Sequence, residues 1–256
     1  MALGAPPTAY DRATTIFSPE GDLYQVKYAF EAVRKGWTSL GIRSKEAVII
    51  AAEKRQITRL LDLESIEKIY LVDDHIGVAF AGMGSDGRIL IDQARLVAVR
   101  HRLLYGEKAS VDYVARAIAD IKQAYTQHAG VRPFGVSLIF GGINPEGDTR
   151  LIKTDPGGQF FSYYAVAIGM GERYATEVLE KEYNKELDFE GLVKLALKAL
   201  FKARIETSEE QSASLVGEFH NFVELGYITV EKPVFRKMSA DEIRRYVNEI
   251  SGELTK

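Results

Sequence analysis

Apolar residues recur along this chain in two rhythms, and the switches between them divide it into elements. Leu23, Val26, Phe30 and Val33 fall at helical spacing, with Ser18-Pro19 in front and Gly36 behind. A capping hydroxyl, then a proline whose missing N–H costs nothing in a first turn, predicts a helix over 18–35. Before it, Met1 to Phe17 shows no periodicity and contains Gly4, Pro6 and Pro7, so it reads as a mobile arm. From Thr38 the period shortens. Thr38–Ile42 and Ala47–Ala52 read as a hairpin, and Ile66–Val72 and His75–Ala81 as a second one across Asp73-Asp74. Helical patterns follow over Arg88–Leu104 and Val111–Gln127, the second with Ser110 as its N-cap. Strands return at Gly135–Ile143, Thr149–Lys153 and Gln159–Ile168, then helices at Arg173–Tyr183 and Phe189–Ile205. A strand pair at Phe219–Glu224 and Tyr227–Glu231 precedes a last helix opened by Ser239 and Glu242, a capping box.

Strand runs that alternate with helix pairs do not make a series of parallel crossovers. They fit an α+β fold, a four-layer α-β-β-α sandwich of two antiparallel sheets flanked by helices. No linker-like stretch interrupts the pattern. The expectation is a single domain over 1–256, with an arm at 1–17, a helix at 18–35, and a C-terminal helix and tail at 239–256.

Gly82-Met83-Gly84-Ser85-Asp86-Gly87 matches the glycine fingerprint of a dinucleotide-binding turn. Its context argues otherwise. A second helix follows where a parallel strand with a terminal acid belongs, and the strands before it look like hairpins. The glycines then serve a tight strand-to-helix bend, and no cofactor is expected. A shared strand-to-helix shape, Phe80-Ala81-Gly82-Met83-Gly84-Ser85 and Ala167-Ile168-Gly169-Met170-Gly171-Glu172, hints at a pseudo-symmetric two-layer build.

Composition narrows the function classes. The net charge is −3, from 33 Lys+Arg against 36 Asp+Glu, which leaves no basic footprint for nucleic acid. No apolar run is long enough to span a membrane, and the first residues lack the features of a signal peptide. There are no cysteines, hence no disulfide, thiolate metal site or cysteine nucleophile. A cytoplasmic setting is the default. His75, His101 and His220 show no metal-ligand spacing, so no metal is expected.

Tyr10-Asp11-Arg12-Ala13-Thr14-Thr15-Ile16-Phe17-Ser18-Pro19-Glu20-Gly21, continuing through Leu23 to Ala29, resembles the signature of archaeal proteasome α subunits. Ser65 to Ile69, Gly130 to Ser137 and Asp155-Pro156-Gly157-Gly158 are similar to landmarks of that family in the right order. The resemblance covers nearly the whole chain and thins after about Glu231. It implies the N-terminal nucleophile hydrolase fold, which agrees with the sandwich read above.

In the catalytic β-type relatives, an N-terminal threonine attacks the peptide and its own amine is the base. The resemblance puts Trp37 at that position here, a residue with no hydroxyl. Thr38 is adjacent, but a one-residue step along a strand turns its side chain to the opposite face. Glu53 and Lys68 match the supporting acid and lysine of β subunits as remnants. The implied role is therefore not an enzyme's. It is a non-catalytic subunit of a seven-membered α ring that caps β subunits and gates the axial pore for unfolded polypeptides. The competing readings are a hydrolase using Thr38 and a dinucleotide-binding enzyme.

Residue by residue, the resemblance implies three groups. Tyr10, Asp11, Pro19 and Tyr28 hold the arm upright in the open gate. There Asp11 accepts from the Tyr28 phenol, and Pro19 fixes the turn against which the rings pack. Gly36, Lys68 and Met83 form a pocket that takes the C-terminal carboxylate of an activator such as a hexameric ATPase, with Lys68 as the point cation. His128, Ala129, Gly130 and Val131 form the turn that narrows the pore, where relatives tend to start with tyrosine and glycine.

Overall fold

The computed structural model describes residues 14–208 and 215–254. The first sheet is ordered β10-β9-β2-β1-β8. It comprises β1 (Ser39–Arg43), β2 (Ala47–Glu53), β8 (Ala165–Ile168), β9 (Val223–Thr229) and β10 (Arg236–Lys237). The second sheet is ordered β3-β4-β5-β6-β7. Its strands are β3 (Ile69–Asp73), β4 (Ile76–Gly82), β5 (Val136–Ile143), β6 (Thr149–Thr154) and β7 (Phe160–Ser162). Neighbouring strands are antiparallel throughout.

The helices are α1 (Tyr24–Arg34), α2 (Gly84–Tyr105), α3 (Val111–Gln127), α4 (Glu172–Glu182), α5 (Phe189–Thr207) and α6 (Ala240–Leu254). Strand β2 shows why they form layers. Every residue in it is buried, so both faces must be covered. Ala47, Ile49 and Ala51 pack with α4, α5 and α6, whereas Val48, Ile50 and Ala52 face the second sheet. On β4 the alternation runs the same way. Ile76, Val78 and Phe80 face α2 and α3, while Ala79 and Ala81 face the first sheet. Three apolar seams thus separate four layers, as the sequence order implies. A fully buried isoleucine such as Ile49 or Ile50 stabilises this arrangement by about 1.5–3 kcal/mol over its exposed state.

Several elements differ from the sequence reading. The first helix starts at Tyr24, because Ser18 closes a turn instead of capping a helix. Gly21 N–H donates to the Ser18 carbonyl at 2.9 Å, and Gly21 sits at φ +86°. The strand expected from Ile66 begins at Ile69, after a short 3-10 turn at Leu63–Ser65. The strand expected over 159–168 is two strands in different sheets. Tyr163 N–H still reaches Leu151 of the second sheet, whereas the Tyr164 carbonyl already accepts from Arg43 of the first. The chain therefore changes sheet between two consecutive tyrosines.

The pair expected over 219–231 is a 3-10 turn at Phe219–Phe222 followed by one continuous strand. Gly226 is no turn residue. A Cβ there would lie 2.4 Å from the Phe235 ring, so the glycine makes room for an aromatic side chain. Helix α2 likewise starts at Gly84, ahead of the expected Arg88, with Gly87 pressed against Phe80.

The caps agree with expectation. Ser110 Oγ accepts from Tyr113 N–H, and Ser239 and Glu242 bond reciprocally at the start of α6. The glycine fingerprint lies where antiparallel β4 hands over to α2, and α2 leads into α3, so it has no Rossmann context. Its echo is structural. Gly82 (φ +114°) ends β4 before α2, and Gly169 (φ +98°) sits between β8 and α4.

Candidate functional site

Lys68 lies just ahead of β3 and is only 4% exposed. Its backbone N–H donates to Glu224 Oε2 at 2.7 Å, which pins the strand start to β9. Its ammonium donates to the Phe80 carbonyl at 2.7 Å and lies 3.4 Å from the Trp37 carbonyl, with the Phe80 ring 4.2 Å away. Burial pushes the amine down to about 7, against the opposing pull of Glu53 and Glu224. The Lys68 ammonium is thus held by backbone dipoles and an aromatic face, and no carboxylate bonds to it directly among the described residues.

Gly36 and Met83 meet Lys68 at one place, the junction of β4 and α2. A Cβ on Gly36 would fall 2.1 Å from Gly82 N, so the two glycine backbones touch. Met83, the next residue, donates its N–H to the Gly135 carbonyl at 2.9 Å and leaves its side chain 41% exposed. The structure therefore brings the three residues of the expected pocket to one corner. A separate cleft of about 880 Å³ runs beside the 63–67 turn, lined by Glu64, Glu67, His220, Glu224 and Lys237. None of the three pocket residues lines it.

Of the arm cluster, Tyr10 and Asp11 lie outside the described residues. Pro19 is exposed in the turn closed by Ser18, and Tyr28 is half-exposed on α1 with its ring 6.4 Å from that of Tyr24. The 128–131 turn follows the last turn of α3. His128 Nδ1 sits 2.6 Å from the Ala124 carbonyl, Ala129 and Gly130 are exposed, and Val131 is half-buried. Thr14 Oγ1 donates to the His128 carbonyl at 3.5 Å, so the first described residue touches this turn.

Trp37 precedes β1 and follows directly on from α1 through Lys35 and Gly36. Thr38 is fully buried, and its hydroxyl accepts from Gly171 N–H at 3.1 Å. Glu53 is buried as well. It accepts from Arg55 at 2.7 Å and from Arg204 at 3.3 Å, so its charge is neutralised by arginines. Asp73, Asp74 and His75 bring ligand-type atoms within 4.8 Å of one another. Arg102 and Lys108 already pair with those carboxylates.

A family profile described as the proteasome subunit matches residues 33–214, and one for the N-terminal signature of A-type proteasome subunits matches residues 10–32. The chain belongs to the proteasome subunit family. Within it, the N-terminal signature puts the chain among the α-type subunits. It is 59% identical to a proteasome alpha subunit of Aeropyrum pernix over 99% of both chains. It is 52% identical to one from Sulfolobus acidocaldarius, covering 94% of this chain and 97% of that one. A Saccharolobus islandicus relative of the same name is 50% identical over 98% of this chain and 100% of its own.

Sequence reasoning about this α-type subunit misses the residues that hold the corner together. Phe80 enters the sequence pattern as one residue of the expected strand His75–Ala81 and of the strand-to-helix echo, yet its carbonyl and ring carry Lys68. Asp86 lies inside the Gly82–Gly87 fingerprint and Arg132 inside a family landmark. Their pairing, at 2.6 and 2.7 Å, spans 46 residues and has no local signal.

Proposed function

We propose that this α-type subunit is non-catalytic and works in the outer, seven-membered ring of the proteasome core particle. There it joins β subunits, gates the axial pore for unfolded polypeptides with its N-terminal arm, and docks an activator at Gly36, Lys68 and Met83. One observation carries the non-catalytic part. The nucleophile's place holds Trp37, within the chain after α1, so neither a hydroxyl nor a free amine stands there. Thr38, the nearest hydroxyl, is buried against Gly171.

Tyr10, Asp11, Pro19 and Tyr28 are proposed to support the open arm, and the 128–131 turn to narrow the pore. The contact between Thr14 and His128 supports setting arm and turn side by side. No helix of the described residues is long and apolar enough to cross a membrane, which fits the proposed cytoplasmic setting. Intact-mass spectrometry of the chain after assembly with a β subunit tests the reading. Retention of residues 2–37, with hydrolysis lost when the β threonine is blocked, is expected. Cleavage before Thr38 with residual hydrolysis contradicts it.

A further inference from the structure

Asp86 stands in the first turn of α2 with 7% of its surface exposed, and three donors of one segment, 132–135, bond to its carboxylate. Arg132 Nη2 donates to Oδ1 at 2.7 Å, while Arg132 Nη1 and Gly135 N–H donate to Oδ2 at 2.6 and 2.9 Å. This is a two-pronged guanidinium–carboxylate fork, which fixes orientation as well as distance. A carboxylate is also favoured at a helix N-terminus by the exposed amides. Burial works to raise the Asp86 carboxyl, but Arg132 and Gly135 N–H outweigh it and hold it below the usual range.

The fork joins two places that the functional reading keeps separate. On one side, Asp86 is three residues from Met83, whose N–H is bonded to Gly135 and whose neighbour Gly82 abuts Gly36. Phe80, two residues before Gly82, carries Lys68 on its carbonyl. On the other side, Arg132 directly follows Val131, the end of the 128–131 turn. Within that turn Gly130 sits at φ +86°, and no described residue comes within 4 Å of the position of a Cβ. Among the described residues, the turn's side-chain ties are the link from His128 back into α3 and the exposed contact with Thr14.

We propose that Asp86 and Arg132 are positioning residues that transmit activator docking at Lys68 to the 128–131 turn. The proposal rests on the docking and pore assignments made above. A carboxylate that takes the Lys68 ammonium competes with the Phe80 carbonyl for it and loosens one anchor of the β4–α2 junction. The α2 N-terminus then shifts, and the fork carries the 131–135 segment with it. The turn follows, with Gly130 carrying no side chain and meeting no described residue at its Cβ position.

The test uses the core particle assembled with its β partner. Docking is reported by fluorescence polarisation of a labelled heptapeptide that copies the activator's C-terminus and keeps a free carboxylate. Hydrolysis of an internally quenched nonapeptide reports gate opening. Arg132→Lys keeps the charge and loses the fork; Asp86→Asn removes the charge. Both are expected to bind the peptide within about twofold of the parent and to lose at least about fivefold of the stimulated hydrolysis, the scale of ordinary coupling energies. The double variant is expected to lose no more than either single one, because the residues act as a unit. Full stimulation in both variants overturns the proposal, and so does a loss of docking that matches the loss of opening. Should Asp86→Asn fail to assemble, Arg132→Lys carries the test alone. Normal docking by Lys68→Ala overturns the docking assignment itself, a different outcome from either.

Discussion

The Lys68 ammonium donates to the carbonyl of Phe80 at 2.7 Å, so the cation assigned to activator docking is bound to the strand that leads into α2. Its 4% exposure means that an incoming carboxylate competes with that carbonyl for a nearly enclosed cation. Replacing Lys68 with alanine removes the cation and leaves the Phe80 carbonyl to the Ser39 hydroxyl, which donates to it at 2.8 Å. ATPase-stimulated proteolysis by the assembled particle is expected to vanish while the ring still forms. A normal response to the activator contradicts the lysine assignment.

Deleting residues 2–12 should act in the opposite sense. The arm is the proposed plug, so its loss leaves the pore open and raises basal hydrolysis of short peptides without an activator. Peptidase assays on the truncated particle check this. An unchanged basal rate contradicts the gating role of the arm.

The two buried lysines set a pH dependence. Lys122 is fully enclosed, donating to the Val136 carbonyl and to both the carbonyl and hydroxyl of Thr154. Burial holds Lys122 and Lys68 near 7, far below the ordinary value of 10.5. Between those pH values the unfolded chain binds more protons than the folded one, so stability rises with pH from 7 toward 10.5. Below 7 this contribution is absent. Each lysine adds up to about 1.4 kcal/mol per pH unit in that window. Urea midpoints should therefore increase between about pH 7 and about pH 9, and Lys122→Met should flatten the rise by about half. A midpoint that falls over this window contradicts the account.

Two glycines at the site should respond differently to alanine. At Gly36 the new Cβ would meet the Gly82 backbone at 2.1 Å, and backbone cannot rotate away. Gly36→Ala is expected to cost about 3 kcal/mol, the upper end of overpacking, and to lower the melting temperature sharply. At Gly130 no described residue stands near the Cβ position and the positive φ is the resistance, so Gly130→Ala should cost about 1–2 kcal/mol. Calorimetry of the two variants checks the order; equal losses contradict it.

Much of the sandwich is legible in the sequence because its strands are short and tightly patterned. The run Ala47–Ala52 and the capped helices at Ser110 and Ser239 need only period and cap chemistry. The stretches that depart from their pattern share a cause. At Tyr163-Tyr164 and Gly226 the local pattern is continuous or turn-like, and tertiary contacts with Leu151, Arg43 and Phe235 decide the outcome. The site divides in the same way. Lys68, Met83 and the 128–131 turn can be named from a family resemblance, whereas Phe80, Asp86 and Glu224 act through partners distant in sequence.

The central claim is that this chain builds a ring. Light scattering after size exclusion, on the chain alone and after mixing with a β partner, tests it most directly. Seven copies of 28.5 kDa make about 200 kDa, or about twice that for two stacked rings. The account predicts a ring mass for the chain alone or a larger particle with its partner. A species of 28.5 kDa under both conditions contradicts it.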